Sequence, residues 1–271
     1  MTPSIDIRNL TIRYNHTPVV DDLSFRINAG EFFIIIGPNG SGKTTLLKAV
    51  AGMIPHDHGT ILLNDRSLHR YRRKELAASI AYVPQNLPLE FPFTVGEVVL
   101  MGRSPHQGIL GMEGEADRRI AREAMEITET LHLAARKIEQ LSGGERQRVF
   151  IARAISQDTP IILLDEPTAA LDLAHQIQMM DLMERLKAEK QTTIVMVSHD
   201  INLAAMYGER LLMMKGGKVV TTGTPAEVLT FENLEAGYDC VVLVDQSPMG
   251  DFPRVSPVPN RYLYLMPRKT K

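Results

Sequence analysis

The residues best able to do chemistry fall in two places. Gly37, Pro38, Asn39, Gly40, Ser41, Gly42, Lys43, Thr44 and Thr45 spell GPNGSGKTT, set between the apolar run EFFIII and the helical stretch LLKAVAG. A strand, a glycine-rich turn and a helix start in that order make a phosphate cradle. The glycines let backbone N–H groups turn inward, the helix N-terminus adds positive dipole, and Lys43 offers a point charge to the outer phosphates. Thr44 then stands ready to hold Mg²⁺. Far along the chain, IILLDEP ends a buried strand in Asp165 and Glu166, at the edge where α/β sheets bind ligands. Asp165 suits the metal's water shell, and Glu166, one residue on, suits polarising an attacking water. A kinase or a GTPase would fit these two motifs equally well, although no guanine-specific NKxD sequence is present.

Such groups need a sheet to hold them. Phe32 to Ile36, Ile161 to Leu164 and Thr193 to Val197 are short apolar runs without alternation, as expected of central parallel strands covered on both faces. Helical patterns over Lys43–Ala51, Gly143–Ile155 and Ala174–Ala188 separate them, giving the alternation of a parallel α/β domain. Ile5, Ile7, Leu10, Ile12 and Tyr14, then Leu23, Phe25 and Ile27, roughly alternate with polar residues, which predicts an antiparallel β layer at the N-terminal end. From about Pro88 to Gln140 no strong strand is evident, whereas Val95–Met101 and Ala116–Leu133 carry helix-spaced apolar residues. After Leu229 the chain reads as an irregular appendage, with Cys240–Val244 and Phe252–Val255 as strands around a turn at Ser247 to Gly250. The terminal RKTK reads as a solvated tail.

Composition narrows the function further. With 44% hydrophobic and 23% charged residues the chain is of ordinary globular make-up, so disorder is not expected. A net charge of -2 provides no field for phosphate backbones, so nucleic acid is not an expected partner. The lone Cys240 excludes an intramolecular disulfide. The start MTPSIDIRNL lacks the basic stretch and apolar core of a secretory signal. No apolar run approaches the roughly 20 residues of a membrane helix, so any role at a membrane is expected to come through a partner. His56 and His58 read as solvated loop residues, because no Cys or carboxylate cluster accompanies them.

The decision comes from LSGGERQRV, Leu141 to Val149. With GPNGSGKTT, LSGGERQR and LLDEPTAALD in that order, the sequence resembles the nucleotide-binding subunit of ABC transporters over residues 1 to 230. The resemblance implies an α/β P-loop ATPase core with an N-terminal antiparallel β layer and an inserted helical subdomain, using ATP and Mg²⁺. Under it, Tyr14 stacks on adenine, Gln85 in AYVPQ touches Mg²⁺ or the lytic water, and His199 in VMVSHD contacts the γ-phosphate. Ser142, Gly143 and Gly144 meet the γ-phosphate held by a second copy, and Asp172 closes TAALD. The helix start at LSGGE is in any case a second anion site, and the resemblance turns it into a head-to-tail dimer with two composite sites.

The implied division is 1–87 for the first part of the ATP-binding core, 88–140 for the helical subdomain, 141–229 for the second part and 230–271 for the appendage. Membrane-spanning permease subunits would dock near Gln85 and Pro88 to His106, and a periplasmic or surface substrate-binding protein would act through them. The implied location is peripheral, on the cytoplasmic face of the membrane. FPFTVGEVVLMGRSPH (Phe91 to His106) and LDLAHQIQMMDLM look like importers of iron siderophores, haem and cobalamin; an importer of another cargo such as molybdate would share the pattern. A DNA-repair ATPase would need a coiled coil at 88–140, and none is seen. A translation-associated protein would need two cassettes. A regulatory module of weak turnover is the remaining alternative.

Overall fold

The computed structural model describes residues 3–86, 92–108, 113–169, 171–259 and 261–262. Expectations resting on Pro88, Phe91 and the terminal RKTK lie outside the described residues. The chain opens with β1 (Pro3–Tyr14) and β2 (Thr17–Asn28), an antiparallel hairpin whose two turn residues, Asn15 and His16, both have positive φ (47° and 66°). That is the turn whose twist suits paired strands, and Asn tolerates it well. Next come β3 (Phe32–Ile36), the helix α1 (Lys43–Val50), β4 (His58–Leu63), β5 (Arg66–Ser67), α2 (Arg73–Ala77) and β6 (Ile80–Val83). The helical stretch holds α3 (Val95–Met101) and α4 (Glu115–Ile127), and α5 (Gly143–Ser156) follows it. Then β7 (Ile161–Asp165), α6 (Leu173–Lys190), β8 (Thr193–Val197) and α7 (Ile201–Tyr207) follow. The chain closes with β9 (Arg210–Lys215), β10 (Lys218–Gly223), α8 (Pro225–Val228), α9 (Phe231–Tyr238), β11 (Val242–Gln246) and β12 (Pro253–Pro257).

Two principal sheets result. One has the order β2-β1-β4-β5 and is antiparallel; the other has the order β10-β9-β3-β8-β7-β6, parallel except for the β9–β10 edge pair. In β3 every residue is buried, and its side chains alternate between two cores. Phe32, Ile34 and Ile36 join the cluster that includes Val149, Phe150 and Met180, while Phe33 and Ile35 pack with Ile5, Leu23, Leu46 and Leu47 between the sheets. Burial on both faces is why the run shows no polar alternation. The loops that follow β3, β6, β7 and β8 all leave the carboxyl edge of the same sheet, the ligand-binding side of such folds.

Among the described residues of 92–140 the only β pairing is an isolated bridge, Thr94 with Lys137. Thr94 caps α3 and Glu97 reaches back to its N–H at 2.7 Å, a capping box. The single helix expected over Ala116–Leu133 is interrupted. α4 stops at Ile127, where the Thr128 hydroxyl donates back to the Ala124 carbonyl at 2.9 Å and Glu129 turns left-handed with φ 56°. Hydroxyls that bond backward in this way compete with the helical ladder. The ends of α3 and α5 meet closely. A Cβ on Gly102 would stand 2.2 Å from Ser156 Oγ and 2.3 Å from the Arg153 carbonyl oxygen. Arg103, buried beside it, donates to the Ser156 carbonyl at 2.7 Å and to Asp117 at 3.0 Å.

The C-terminal residues form a hairpin of β11 and β12, each strand starting one or two residues after the expected position. The hairpin is packed against the body. Val242 and Val255 are buried in the main core, and the Asn202 side chain on α7 donates to the Val255 carbonyl (3.1 Å) and accepts from its N–H (2.9 Å). No helix among the described residues is long and apolar enough to cross a membrane.

Candidate nucleotide site

The turn from β3 into α1 holds its glycines where other residues would clash or strain. Gly37 and Gly42 have φ of 144° and 96°, and a Cβ would meet the Met214 carbonyl at 2.1 Å or the Val19 carbonyl at 2.4 Å. Gly40, at φ 76°, faces open space. α1 starts at Gly42 with no side-chain cap, so its first N–H groups are offered to whatever fills the turn. Ser41 Oγ is buried without a partner among the described residues. Lys43, 5% exposed, places its ammonium on the carbonyls of Gly37 (2.8 Å) and Pro38 (2.9 Å). Burial pulls its pKa below the usual lysine range, with Glu166 and Asp165 working against that.

A cleft of about 530 Å³ is lined by Val19, Asn39, Gly40, Ser41, Gly42, Lys43, Thr44, Thr45, Gln85, Glu166 and His199. Residues up to 180 positions apart in the chain, Val19 and His199, thus share one space. At its floor, Thr44 Oγ1 donates to Asp165 Oδ1 at 2.9 Å and Tyr82 Oη donates to Asp165 Oδ2 at 3.1 Å. Asp165 is 1% exposed; burial raises its pKa, and the bonds from Thr44 and Tyr82 oppose the rise. Glu166 adopts a left-handed φ of 52°, a conformation that costs a non-glycine residue about 1 kcal/mol or more and is held only by its surroundings. Its N–H bonds the Val197 carbonyl at 3.2 Å. Its carboxylate accepts a hydrogen bond from the Gln85 amide and touches His199 Nε2 with its other oxygen.

Five of the expected positions lie elsewhere. Tyr14 is half exposed at the end of the first hairpin and does not line the cleft. Ser142 caps α5: it accepts from the Glu145 N–H (3.3 Å) while Glu145 accepts from the Ser142 N–H and hydroxyl, both at 2.8 Å. These bonds hold the Glu145 carboxyl below its usual pKa. A separate depression of about 340 Å³ contains Ser142, Gly144 and Asp172, together with Glu145, Arg148, Leu171 and His175. Gly143, exposed beside it, has nothing within 4 Å of where a Cβ would stand. Within one chain, then, the two helix starts serve two different surfaces. Sequence reasoning passed over Tyr82 and Val19. A tyrosine inside an apolar strand reads as packing, and its reach to Asp165 exists only because β6 pairs with β7.

A cradle of inward N–H groups, an unpartnered hydroxyl and a lysine held only by carbonyls fit a polyphosphate; a Thr hydroxyl on a buried carboxylate fits its divalent cation. Residues 20–169 match the family described as "ABC transporter". The chain is 42% identical over 227 residues to the iron(3+)-hydroxamate import ATP-binding protein FhuC of Bacillus subtilis, covering 84% of each. It is 43% identical over 247 residues to the hemin import ATP-binding protein HmuV of Gloeobacter violaceus, covering 89% of each. Among solved structures, one described as an inward-facing, metal-chelate type ABC transporter superposes with TM-score 0.84 at 31% identity, over 97% of this chain and all of that one. The dimeric structure of the bacterial ABC transporter cassette MJ0796 gives TM-score 0.73 at 34% identity, over 81% and 98%. The chain belongs to the ABC transporter family. It is an ATP-binding ATPase of that family.

Proposed function

We propose that this ATPase powers the import of metal chelates, of the siderophore, haem or cobalamin class, as a head-to-tail pair beneath separate permease subunits. It would sit peripherally on the cytoplasmic face of the membrane, with a substrate-binding protein acting through the permease. The observation that carries the reading is the Glu166 carboxylate, held between Gln85 and His199 on the rim of the P-loop cleft. Similarity to import subunits for iron hydroxamate and hemin supports the cargo class.

In this reading the turn Gly37 to Thr45 wraps the phosphates, and Lys43 moves its ammonium from the two carbonyls to the outer phosphate oxygens. Thr44, Asp165 and Gln85 would hold Mg²⁺, which neutralises phosphate charge when bound. Glu166 takes the proton of the attacking water, and His199 holds the γ-phosphate end in line. Tyr14 supplies a flat ring for the base. Ser142, Gly143, Gly144 and Asp172, which open onto a different surface of the same chain, complete the site of the second copy. The residues 88–140 form the lobe through which closing of the pair is passed to the permease, with 1–87 and 141–229 as the ATP-binding body and 230–271 as its appendage.

The test is Glu166→Gln. It should bind ATP yet lose roughly 10²- to 10⁴-fold in phosphate release, the usual worth of a general base, and uptake of a ferric chelate by cells carrying it should stop. Unchanged turnover removes Glu166 from the chemistry; uptake of molybdate alone overturns the cargo class.

A further inference from the structure

We propose that His56 and His69 form a two-imidazole site for one divalent transition-metal ion, on the β layer and apart from the nucleotide cleft. Neither residue lines that cleft. His56 lies two residues ahead of β4, and His69 is in the one-turn helix Leu68–Arg70 that follows β5. The tight β4–β5 turn, with Asn64 and Asp65 both at positive φ (47° and 62°), folds one onto the other across thirteen positions. Spacing alone could not reveal this, because the partner of His56 is not its neighbour in sequence.

The two Nε2 atoms are 3.2 Å apart. An ion bound to two nitrogens at about 2.05 Å, with an angle between square and tetrahedral, holds them about 2.9–3.4 Å apart. A head-on N–H···N bond of the observed length would instead put the ring centres about 5.5 Å apart. They are 4.7 Å apart, with the planes tilted by 30°, so the nitrogens are the near ends of rings that do not face each other squarely. His56 is partly buried.

Among the described residues no group of three or more His, Cys, Asp or Glu side chains is placed to hold a metal. The described residues therefore supply two ligands, and water the others. Imidazole donors select Zn²⁺, Ni²⁺ or Cu²⁺, with Cu²⁺ bound most tightly, over Mg²⁺ and Ca²⁺, which prefer oxygen. Bound metal ties the loop after α1 to the far side of the β4–β5 hairpin, a cross-link with no part in hydrolysis. The inference stands whether or not the cargo is a metal chelate.

The experiment is calorimetric titration of the nucleotide-free full chain with Zn²⁺, beside thermal melts with and without Zn²⁺. One equivalent should bind in the presence of millimolar Mg²⁺, and Zn²⁺ at a hundredfold above its Kd should raise Tm by about 5 °C. His56→Ala, His69→Ala and the size-preserving His69→Gln should each weaken binding at least about tenfold. His132→Ala, in the helical lobe, should leave it unchanged, and all four variants should hydrolyse ATP at the parent rate, which also shows that they fold. Zn²⁺ affinity equal to the parent's in His69→Ala and His69→Gln, or no saturable one-to-one binding by the parent, overturns the site.

Discussion

Lys43 holds a charge in a place that disfavours it. Its ammonium is buried against two carbonyl oxygens, and its folded pKa lies below the usual 10.5. Between the folded and unfolded values the unfolded chain binds more protons, so stability grows as pH rises through that interval, and at neutral pH the charged form is a cost. Phosphate oxygens would relieve it. Lys43→Ala should therefore melt within a few degrees of the parent without nucleotide, yet lose the rise of about 5 °C that ATP at a hundredfold above its Kd gives the parent. Scanning calorimetry with and without ATP checks this; a variant that unfolds without nucleotide would make Lys43 structural instead. At this scale the sequence was highly legible where a residue type has one chemical use. The glycines, Lys43, Thr44, Gln85, Asp165, Glu166 and His199 all come to one place. Tyr82 was illegible, since nothing in AYVPQ says that its hydroxyl turns toward a strand 80 residues on.

Elements explain why the motifs do not all converge. α1 and α5 both begin with uncommitted N–H groups, but α1 opens into the cleft and α5 into the depression with Asp172. Under the proposed function, a chain so built presents half of two sites. Mixing Lys43→Ala chains with Ser142→Arg chains should then restore one intact site in each mixed dimer and give partial ATPase recovery. No recovery, with mixed dimers shown to form, would count against sharing. Loss of the Ser142 cap costs α5 about 1 kcal/mol, so melts of each chain must accompany the assay. The central strands β3, β7 and β8 were legible as uniform apolar runs, whereas β6, β9 and β10 were not. β6 is four residues long and β10 is mostly half-exposed, too short or too mixed to show a period. The break after Ile127 was hidden for a different reason. Thr128 and Glu129 continue the helical pattern of residue types, and the chain leaves it through the backward bond of Thr128 and the left-handed φ of Glu129.

For the whole molecule, the sequence located the two strands of the C-terminal hairpin but not how they are held against the body. Its anchor on α7 is a pair of hydrogen bonds from one side chain, and the valines beneath it belong to the main core. Asn202→Ala removes both bonds and should cost about 1–3 kcal/mol, concentrated locally. Hydrogen exchange should show faster opening of 242–257 with β3 and β7 unchanged; uniform acceleration across the chain would mean that the hairpin and the sheet open as one unit.

Gly102 has a consequence for how force could travel. Where α3 ends against α5, the missing methyl sets the spacing, and the Ser156 and Arg153 atoms stand where any larger residue would have to go. With Arg103 bolted to the Ser156 carbonyl and to Asp117, the joint has no slack. A push delivered at the end of α3 is felt at the far end of the helix that starts with Ser142, as a crank turns its shaft.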